Sequence, residues 1–241
     1  CEIMKNYLAI DQGTTSSRSI IFDSDLNSIK DSQKAYELSY PKDGWVEADP
    51  GEILDTVIAT IKDVTNSDNF NITSCGITNQ RETTIVWSKK TGDPIYPAII
   101  WQDRRTSSMC SSLKADGHED MVSNKTGLLL DPYFSASKVS WILDNVPNAR
   151  SDAESGNLMF GTVDSFLIYK LSKEKHHLTD VTNASRTMLF NIHTMSWDLD
   201  LLNLFNIPIS MMPEVKDCDS FFGTLDIEGV DIRINGVIGD Q

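Results

Sequence analysis

The residues able to do chemistry fall into four short stretches. "DQGTTSSR", Asp11 to Arg18, sets a glycine, four consecutive hydroxyl residues and an arginine between two apolar runs. A glycine turn exposes backbone N–H groups, and Thr14, Thr15, Ser16 and Ser17 add hydroxyl donors, so the pattern suits an anion such as phosphate. Arg18 supplies a planar charge that binds phosphate oxygens in pairs. Asp11, at a strand end, is a hard oxygen ligand for magnesium, direct or through water. The G-x-x-x-x-G-K-[ST] of a P-loop is missing, and on these residues alone an empty polar hairpin stands equally well.

In "TNQRETTIVW", Arg81 and Glu82 put opposite charges side by side. The bland reading is a surface ion pair worth little; the functional one is a hydroxyl clamp, with Arg81 donating and Glu82 accepting. In "IIWQDRRT", Trp101 precedes Gln102, Asp103, Arg104 and Arg105. An indole packs against a carbon skeleton while polar neighbours bind its hydroxyls. In the tail "GVIGDQ", an apolar strand ends at Gly239 and delivers Asp240. Ligand sites of open α/β sheets lie at the carboxyl ends of strands. An aspartate there can be a general base, although a turn aspartate is the commoner case.

These stretches need elements to position them. "NYLAI" reads as a strand buried on both faces and "RSIIFD" as its antiparallel hairpin partner, with Gly13 free to take an unusual dihedral. A third strand is expected within Lys30 to Tyr40. "EADPGEILDTVIATIK" predicts a helix: Asp49 caps, Pro50 takes the first position, Glu52 completes a capping box, and Ile53, Leu54, Val57, Ile58 and Ile61 form the core face. "ITSCGIT", "TTIVW", "LMFGT", "RTMLFNI" and "INGVIGD" read as strands, "FSASKVSWILDN" and "VDSFLIYKL" as helices. Alternation of the two types argues an α/β fold.

Composition sets bounds. The 241 residues carry a formal net charge of −14, which argues against a nucleic-acid partner. Cys1, Cys75, Cys110 and Cys218 lack disulfide or zinc spacing, and His176 and His177 read as a solvated loop. No apolar run reaches the ~18 residues of a membrane span. Met4 is the candidate natural start; a lipidated Cys1 is the alternative.

Taken together, "DQGTTSSR", "GWVEADP", "TNQRETT", "WQDRRT" and "GDQ" occur in the order found in the glycerol kinases, and "YFSASKVSWILDN", Tyr133 to Asn145, fits a signature of the wider carbohydrate kinases. From Lys5 to Gln241 the chain resembles the amino-terminal domain of that family. The resemblance implies a ribonuclease H-like domain of the actin/hexokinase type, with a mixed central sheet flanked by helices. Residues 1–4 would be a start region and 5–241 that domain, the second, nucleotide-binding domain being absent. The implied reaction is transfer of the γ-phosphoryl of ATP to glycerol, with Mg2+, in the cytoplasm and in a homo-oligomer at full length.

The resemblance also implies roles. Thr14, Thr15, Ser16 and Arg18 would contact the nucleotide phosphates, and Asp11 would face the magnesium. Arg81, Glu82, Tyr133, Asp240 and Gln241 would bind glycerol hydroxyls, Trp101 its carbons, and Asp240 would be the base. Two other readings stay open: a non-catalytic polyol-binding module, because half of the cleft is missing, and a sibling polyol or sugar kinase.

Overall fold

The computed structural model describes residues 4–66 and 69–241; Cys1, Glu2 and Ile3 of the expected start region lie outside them. The first strand, β1 (Asn6–Gln12), buries Leu8, Ile10 and Gln12 and turns Tyr7, Ala9 and Asp11 to the opposite face, as the period of two requires. It pairs antiparallel with β2 (Ser16–Phe22), which pairs antiparallel with β3 (Ser28–Ala35). The chain then enters helix α1 (Pro50–Thr65), capped by the Asp49 side chain, which accepts from the Gly51 N–H at 2.8 Å. Ile53, Val57 and Ile61 press this helix against the inner side of the sheet. Two hydroxyl pairs, Ser17–Thr56 and Ser19–Thr60, each at 2.9 Å, satisfy the polar groups buried beneath it.

β4 (Ile72–Asn79) returns parallel to β1. Much later, β5 (Gly223–Ile227) and β6 (Val230–Gly239) form a hairpin, and β6 joins β4 in parallel. The sheet order is β5-β6-β4-β1-β2-β3. It is mixed because its outer hairpins are antiparallel while β1, β4 and β6 run together. The carboxyl ends of those three strands therefore share one edge, where Gln12, Asn79 and Gly239 lie in register.

The chain between β4 and β5 builds a second layer. Strand Ile85–Ser88 pairs with Leu158–Gly161. Around them pack α2 (Ser107–Ala115), α3 (Glu119–Thr126), α4 (Ser135–Asn145), α5 (Ala149–Glu154), α6 (Val163–Leu171), α7 (Val181–Ala184) and α8 (Leu199–Leu204). Val139, Ile142, Phe160 and Phe205 centre a second core beside the one under the sheet. The mixed sheet flanked by helices is the architecture expected above.

Four local expectations need correction. Glu52 does not close a capping box: its Oε1 accepts from the Glu37 N–H at 3.3 Å, because β3 brings that donor within reach. Gly13 takes no positive φ; what its missing side chain supplies is clearance, since a Cβ would sit 3.2 Å from the Ser16 carbonyl oxygen. "RTMLFNI" yields only the two-residue strand Phe190–Asn191, with Met188 at φ 61° interrupting any longer run. His177 is no solvated loop residue: its Nε2 lies 2.6 Å from the Phe160 carbonyl and its ring packs edge-on against Trp87. His176 stays exposed.

Burial lowers the His177 pKa to about 4. Its folded form binds a proton less readily than the unfolded chain, so stability is expected to fall as pH drops from about 6.5 to about 4. The drop should approach 3 kcal/mol and be read as a falling urea midpoint. A His177→Gln variant should show a flatter profile over that window; an equally steep one would assign the effect elsewhere.

Candidate active site at the strand ends

Beyond the shared strand edge, four chain segments converge. The first is the β1–β2 turn, closed by the Gly13 N–H donating to the Ser16 carbonyl at 2.8 Å. The Tyr36 hydroxyl lies 2.6 Å from the Gly13 carbonyl and 2.5 Å from that of Thr14. The Gln80 side-chain amide lies 2.9 Å from the Gln12 Oε1 and from the Tyr36 hydroxyl. Gln12, Tyr36 and Gln80 thus hold the turn from beneath. Among the described residues, the Thr14 and Thr15 N–H groups have no hydrogen-bond partner.

The second segment is the bend after β4. Arg81 and Glu82 lie on no strand, and Glu82 takes a left-handed backbone at φ 65°. On a regular strand neighbouring side chains point to opposite faces, so this bend turns both toward one side. The conformation costs on the order of 1 kcal/mol for a non-glycine residue. It is held by Ser135, which starts α4 and donates its hydroxyl to the Glu82 carbonyl at 3.0 Å, and by Thr83, whose hydroxyl donates to Gln80 Oε1 at 2.8 Å.

The third segment carries Trp101, whose indole N–H donates to Thr14 Oγ1 at 2.9 Å and whose ring stands edge-on to Tyr133 at 5.6 Å. Tyr133 is itself fixed by Asp131, which accepts its N–H at 2.8 Å and pairs with Arg104 at 2.9 Å. The fourth is the end of β6, where the Asp240 N–H donates to the Asn79 carbonyl at 3.1 Å.

Between them lies a pocket of about 140 Å³, lined by Thr14, Gln80, Arg81, Glu82, Trp101, Tyr133, Asp240 and Gln241. The six residues expected at a polyol site are thus together. Arg81 reaches the tail, with Nη2 donating to Gln241 Oε1 at 3.2 Å and Nε 3.8 Å from Asp240 Oδ1. Its stem crosses Gly239, where a Cβ would lie 2.5 Å from Arg81 Cδ.

Glu82 is not the partner of Arg81. It is buried, and its Oε1 accepts from Arg186 Nε at 2.6 Å. Burial raises its pKa; Arg186 first, then Arg81 and Lys138, oppose the rise. Sequence spacing gave no sign of Arg186, which sits 104 residues away and lies over the rings of Phe134 and Tyr133. Lys138 was equally hidden. It is fully buried, donates to the Tyr133 carbonyl at 3.0 Å, and burial lowers its pKa to about 7.

The polar neighbours of Trp101 do not reach the pocket. Arg105 is enclosed: it pairs with Asp103 and Glu47 and lies 3.8 Å from the Trp45 ring centroid and 4.6 Å from that of Trp141. Asp103 also accepts the Val46 N–H at 2.6 Å. Burial of both side chains requires this pairing, so the cluster is scaffold.

The anion-directed residues lie on the outer face of the hairpin. Ser16 Oγ accepts from Gln33, and Arg18 pairs with the exposed Asp31 at 3.0 Å. Arg18 is also the cross-strand neighbour of Asp11. The Asp11 pKa is raised by partial burial and then by the charge of Asp240, and lowered by Arg18. Two carboxylates that repel one another at a strand edge fit a hard divalent cation. No cluster of three or more acidic, histidine or cysteine residues able to hold a metal occurs among the described residues. Asp11 alone could supply one oxygen ligand to a hard cation there, the rest of the shell having to come from water or a ligand.

Known proteins resolve the family. A family model for the amino-terminal domain of the FGGY carbohydrate kinases matches residues 6–236. The chain belongs to this family. It is 53% identical over 242 residues to the glycerol kinase of Shewanella baltica (strain OS195), covering 98% of this chain and 49% of that protein. It spans about half the length of the curated relatives it matches. The crystal structure of Plasmodium falciparum glycerol kinase with ADP matches with a TM-score of 0.94 at 36% identity, over 99% of this chain and 49% of that one. Gluconate kinase from Lactobacillus acidophilus, at 23% identity, shares the fold, with a TM-score of 0.89 over 98% of this chain and 48% of that one.

In this FGGY domain, Arg186→Leu should leave the buried Glu82 without its ion partner. We expect a loss of about 2 kcal/mol in urea denaturation, less than for a fully buried pair because Arg186 is partly solvated. The loss should be larger at pH 8 than at pH 5, since only the ionised carboxylate needs the guanidinium. A deficit below about 0.5 kcal/mol at both pH values would show that Glu82 does not depend on Arg186.

Proposed function

We propose that this domain is the polyol- and phosphate-binding half of an ATP-dependent glycerol kinase, forming glycerol 3-phosphate. The observation that carries the reading is the small pocket itself, lined both by groups able to bind hydroxyls and by the aromatic residues Trp101 and Tyr133. Its size suits a three-carbon polyol, and relatives above 50% identity are glycerol kinases.

Arg81 donates to, and Glu82 accepts from, the hydroxyls that are not phosphorylated, while Gln241 offers its amide. Trp101 and Tyr133 cover the carbons. Asp240, partly exposed at the pocket mouth, accepts the proton of the terminal hydroxyl as that oxygen attacks. The free N–H groups of Thr14 and Thr15, with the hydroxyls of Thr14, Thr15 and Ser16, hold the phosphates of ATP. Arg18 offsets their charge once it turns from Asp31. Asp11 would hold magnesium beside them; that ion, when bound, neutralises charge on the transferring group. Phosphoryl transfer asks the protein chiefly for positioning and charge stabilisation. A cytoplasmic setting belongs to this reading; among the described residues no helix is long and apolar enough to cross a membrane.

The test is MgATP-dependent turnover by the whole protein on glycerol, gluconate and xylulose. Glycerol should be the preferred acceptor; faster turnover of either sugar substrate would overturn the assignment. Asp240→Asn should lower kcat by about 10²-fold or more with the fold intact by circular dichroism. Retention of activity within a few-fold would remove Asp240 as the base.

Substrate choice gives a second check. A ligand that lacks one hydroxyl leaves a buried partner unpaired, at about 1–3 kcal/mol. Glycerol should therefore exceed propane-1,2-diol by roughly 5- to 150-fold in kcat/KM. Arg81→Ala should erase much of this preference, and an undiminished ratio in that variant would count against the clamp.

A further inference from the structure

Asp240 sits one residue past the end of β6, on a sheet edge where little holds it. β6 pairs with β4 up to Gly239, but its other neighbour, β5, reaches only as far as Ile234. The Gly239 N–H on that free side would lack a backbone partner. It donates instead to Thr182 Oγ1 at 2.8 Å. The Thr182 hydroxyl in turn gives its proton to Asp180 Oδ2 at 2.5 Å. With that proton committed, the oxygen can only accept, so the hydroxyl has one fixed orientation.

Asp180 is built to hold it. Besides the Thr182 hydroxyl, its carboxylate accepts from the Thr182 N–H at 2.9 Å, the Asn183 N–H at 3.1 Å and the Asn183 side-chain amide at 2.7 Å. Asn183 also exchanges two amide hydrogen bonds with Asn79, at 2.9 and 3.1 Å. The Asn79 carbonyl is the acceptor of the Asp240 N–H. The Gly239 N–H thus ends on α7, whereas the Asp240 N–H ends on Asn79 of β4, whose side chain is tied to Asn183 of α7.

We infer that Thr182, oriented by Asp180, is a positioning residue that sets the aim of Asp240 toward the polyol. The inference rests on the reading of Asp240 as the base. Thr182 sits too far back to touch a ligand in the pocket, which it does not line; it acts through the backbone of Gly239. A displacement near 1 Å at a reacting group lowers rate steeply, whereas no hydrogen bond among the described residues links Thr182 to the β1–β2 turn that would hold MgATP.

Thr182→Val keeps shape and removes the hydroxyl; Thr182→Ser keeps the hydroxyl and removes the methyl. In the whole protein, Val should lower kcat about tenfold or more with KM for MgATP unchanged. Ser should stay within about twofold of wild type. A packing role predicts the reverse order. A second readout needs no turnover: amide hydrogen exchange at Gly239 by NMR in the 241-residue chain. Exchange should be slow in wild type and Ser and faster in Val. If wild type shows no kinase turnover, the functional reading fails while the exchange result still tests the contact. Unchanged kcat in Val, Ser no better than Val, or slow Gly239 exchange in Val would each overturn the inference.

Discussion

The site depends on the register that sets Gln12, Asn79 and Gly239 side by side at the ends of three parallel strands. Every group facing the pocket from the sheet follows within three residues of one of these positions. Because side chains alternate along a strand, a slip of one residue would turn each of them to the opposite face. The pairing of β6 with β4 contains such a shift, between Ile234 and Gly236. Asn235 is the extra residue, unpaired in the ladder, and its side-chain amide donates to Ser74 Oγ at 2.9 Å. A bulge of this kind re-aims the strand that carries it. Past it, Val237 and Gly239 are buried and Ile238 is exposed, so Asp240 emerges beside Arg81 and not behind the sheet.

A fixed register places the strand ends but does not hold the loops that leave them. Buried polar groups do that. Gln12, Gln80, Thr83, Asn79 and Asn183 are all nearly inaccessible, and an unpaired amide in such a place would cost about 1–3 kcal/mol. Each has partners on a different segment, so the turn, the bend and α7 cannot move independently without breaking bonds that water cannot replace. The left-handed Glu82 is affordable within this frame because its carbonyl and carboxylate are both engaged. The same economy explains Gly239: a side chain there would displace the Arg81 stem.

What was legible in the residues follows from the range of the forces involved. Strands and helices with a strong apolar period were readable because the signal lies within a few positions. The helix α1 and the strands β1, β4 and the end of β6 are examples. Site residues in compact motifs were also readable, because the chain itself keeps Arg81 near Glu82 and Asp240 near Gln241, although the bend that turns Arg81 and Glu82 to one side is held by Ser135 and Thr83. Arg186, Tyr36, Lys138 and Thr182 were not. Their roles arise from contacts between distant segments, and nothing in "NASRT" or "QKAYEL" distinguishes such a side chain from a surface one. His177 and Glu52 failed for the same reason, each captured by a partner from another element. Arg105 failed in the opposite sense: adjacent to Trp101 in sequence, it points into a closed aromatic cluster.

The charge balance raises the remaining question, how a chain with net charge −14 could hold a polyanion. Net charge governs long-range steering, and at physiological ionic strength it is screened within roughly 8 Å. Inside that radius the composition differs. Arg81 and Arg18 flank the pocket and hairpin, and Arg186 and Lys138 lie just behind Glu82. Glu82 is engaged by Arg186, whereas Asp11 lies near enough to Asp240 for the two carboxyl groups to repel each other as anions. Those two carboxylates would oppose a bare phosphate chain and favour one that brings a divalent cation. On the proposed reading, the acidic residues at the strand ends would favour the magnesium-bound form of a nucleotide over the free anion, and the Thr14 and Thr15 N–H groups of the turn would be left to hold the phosphate oxygens that the cation does not occupy.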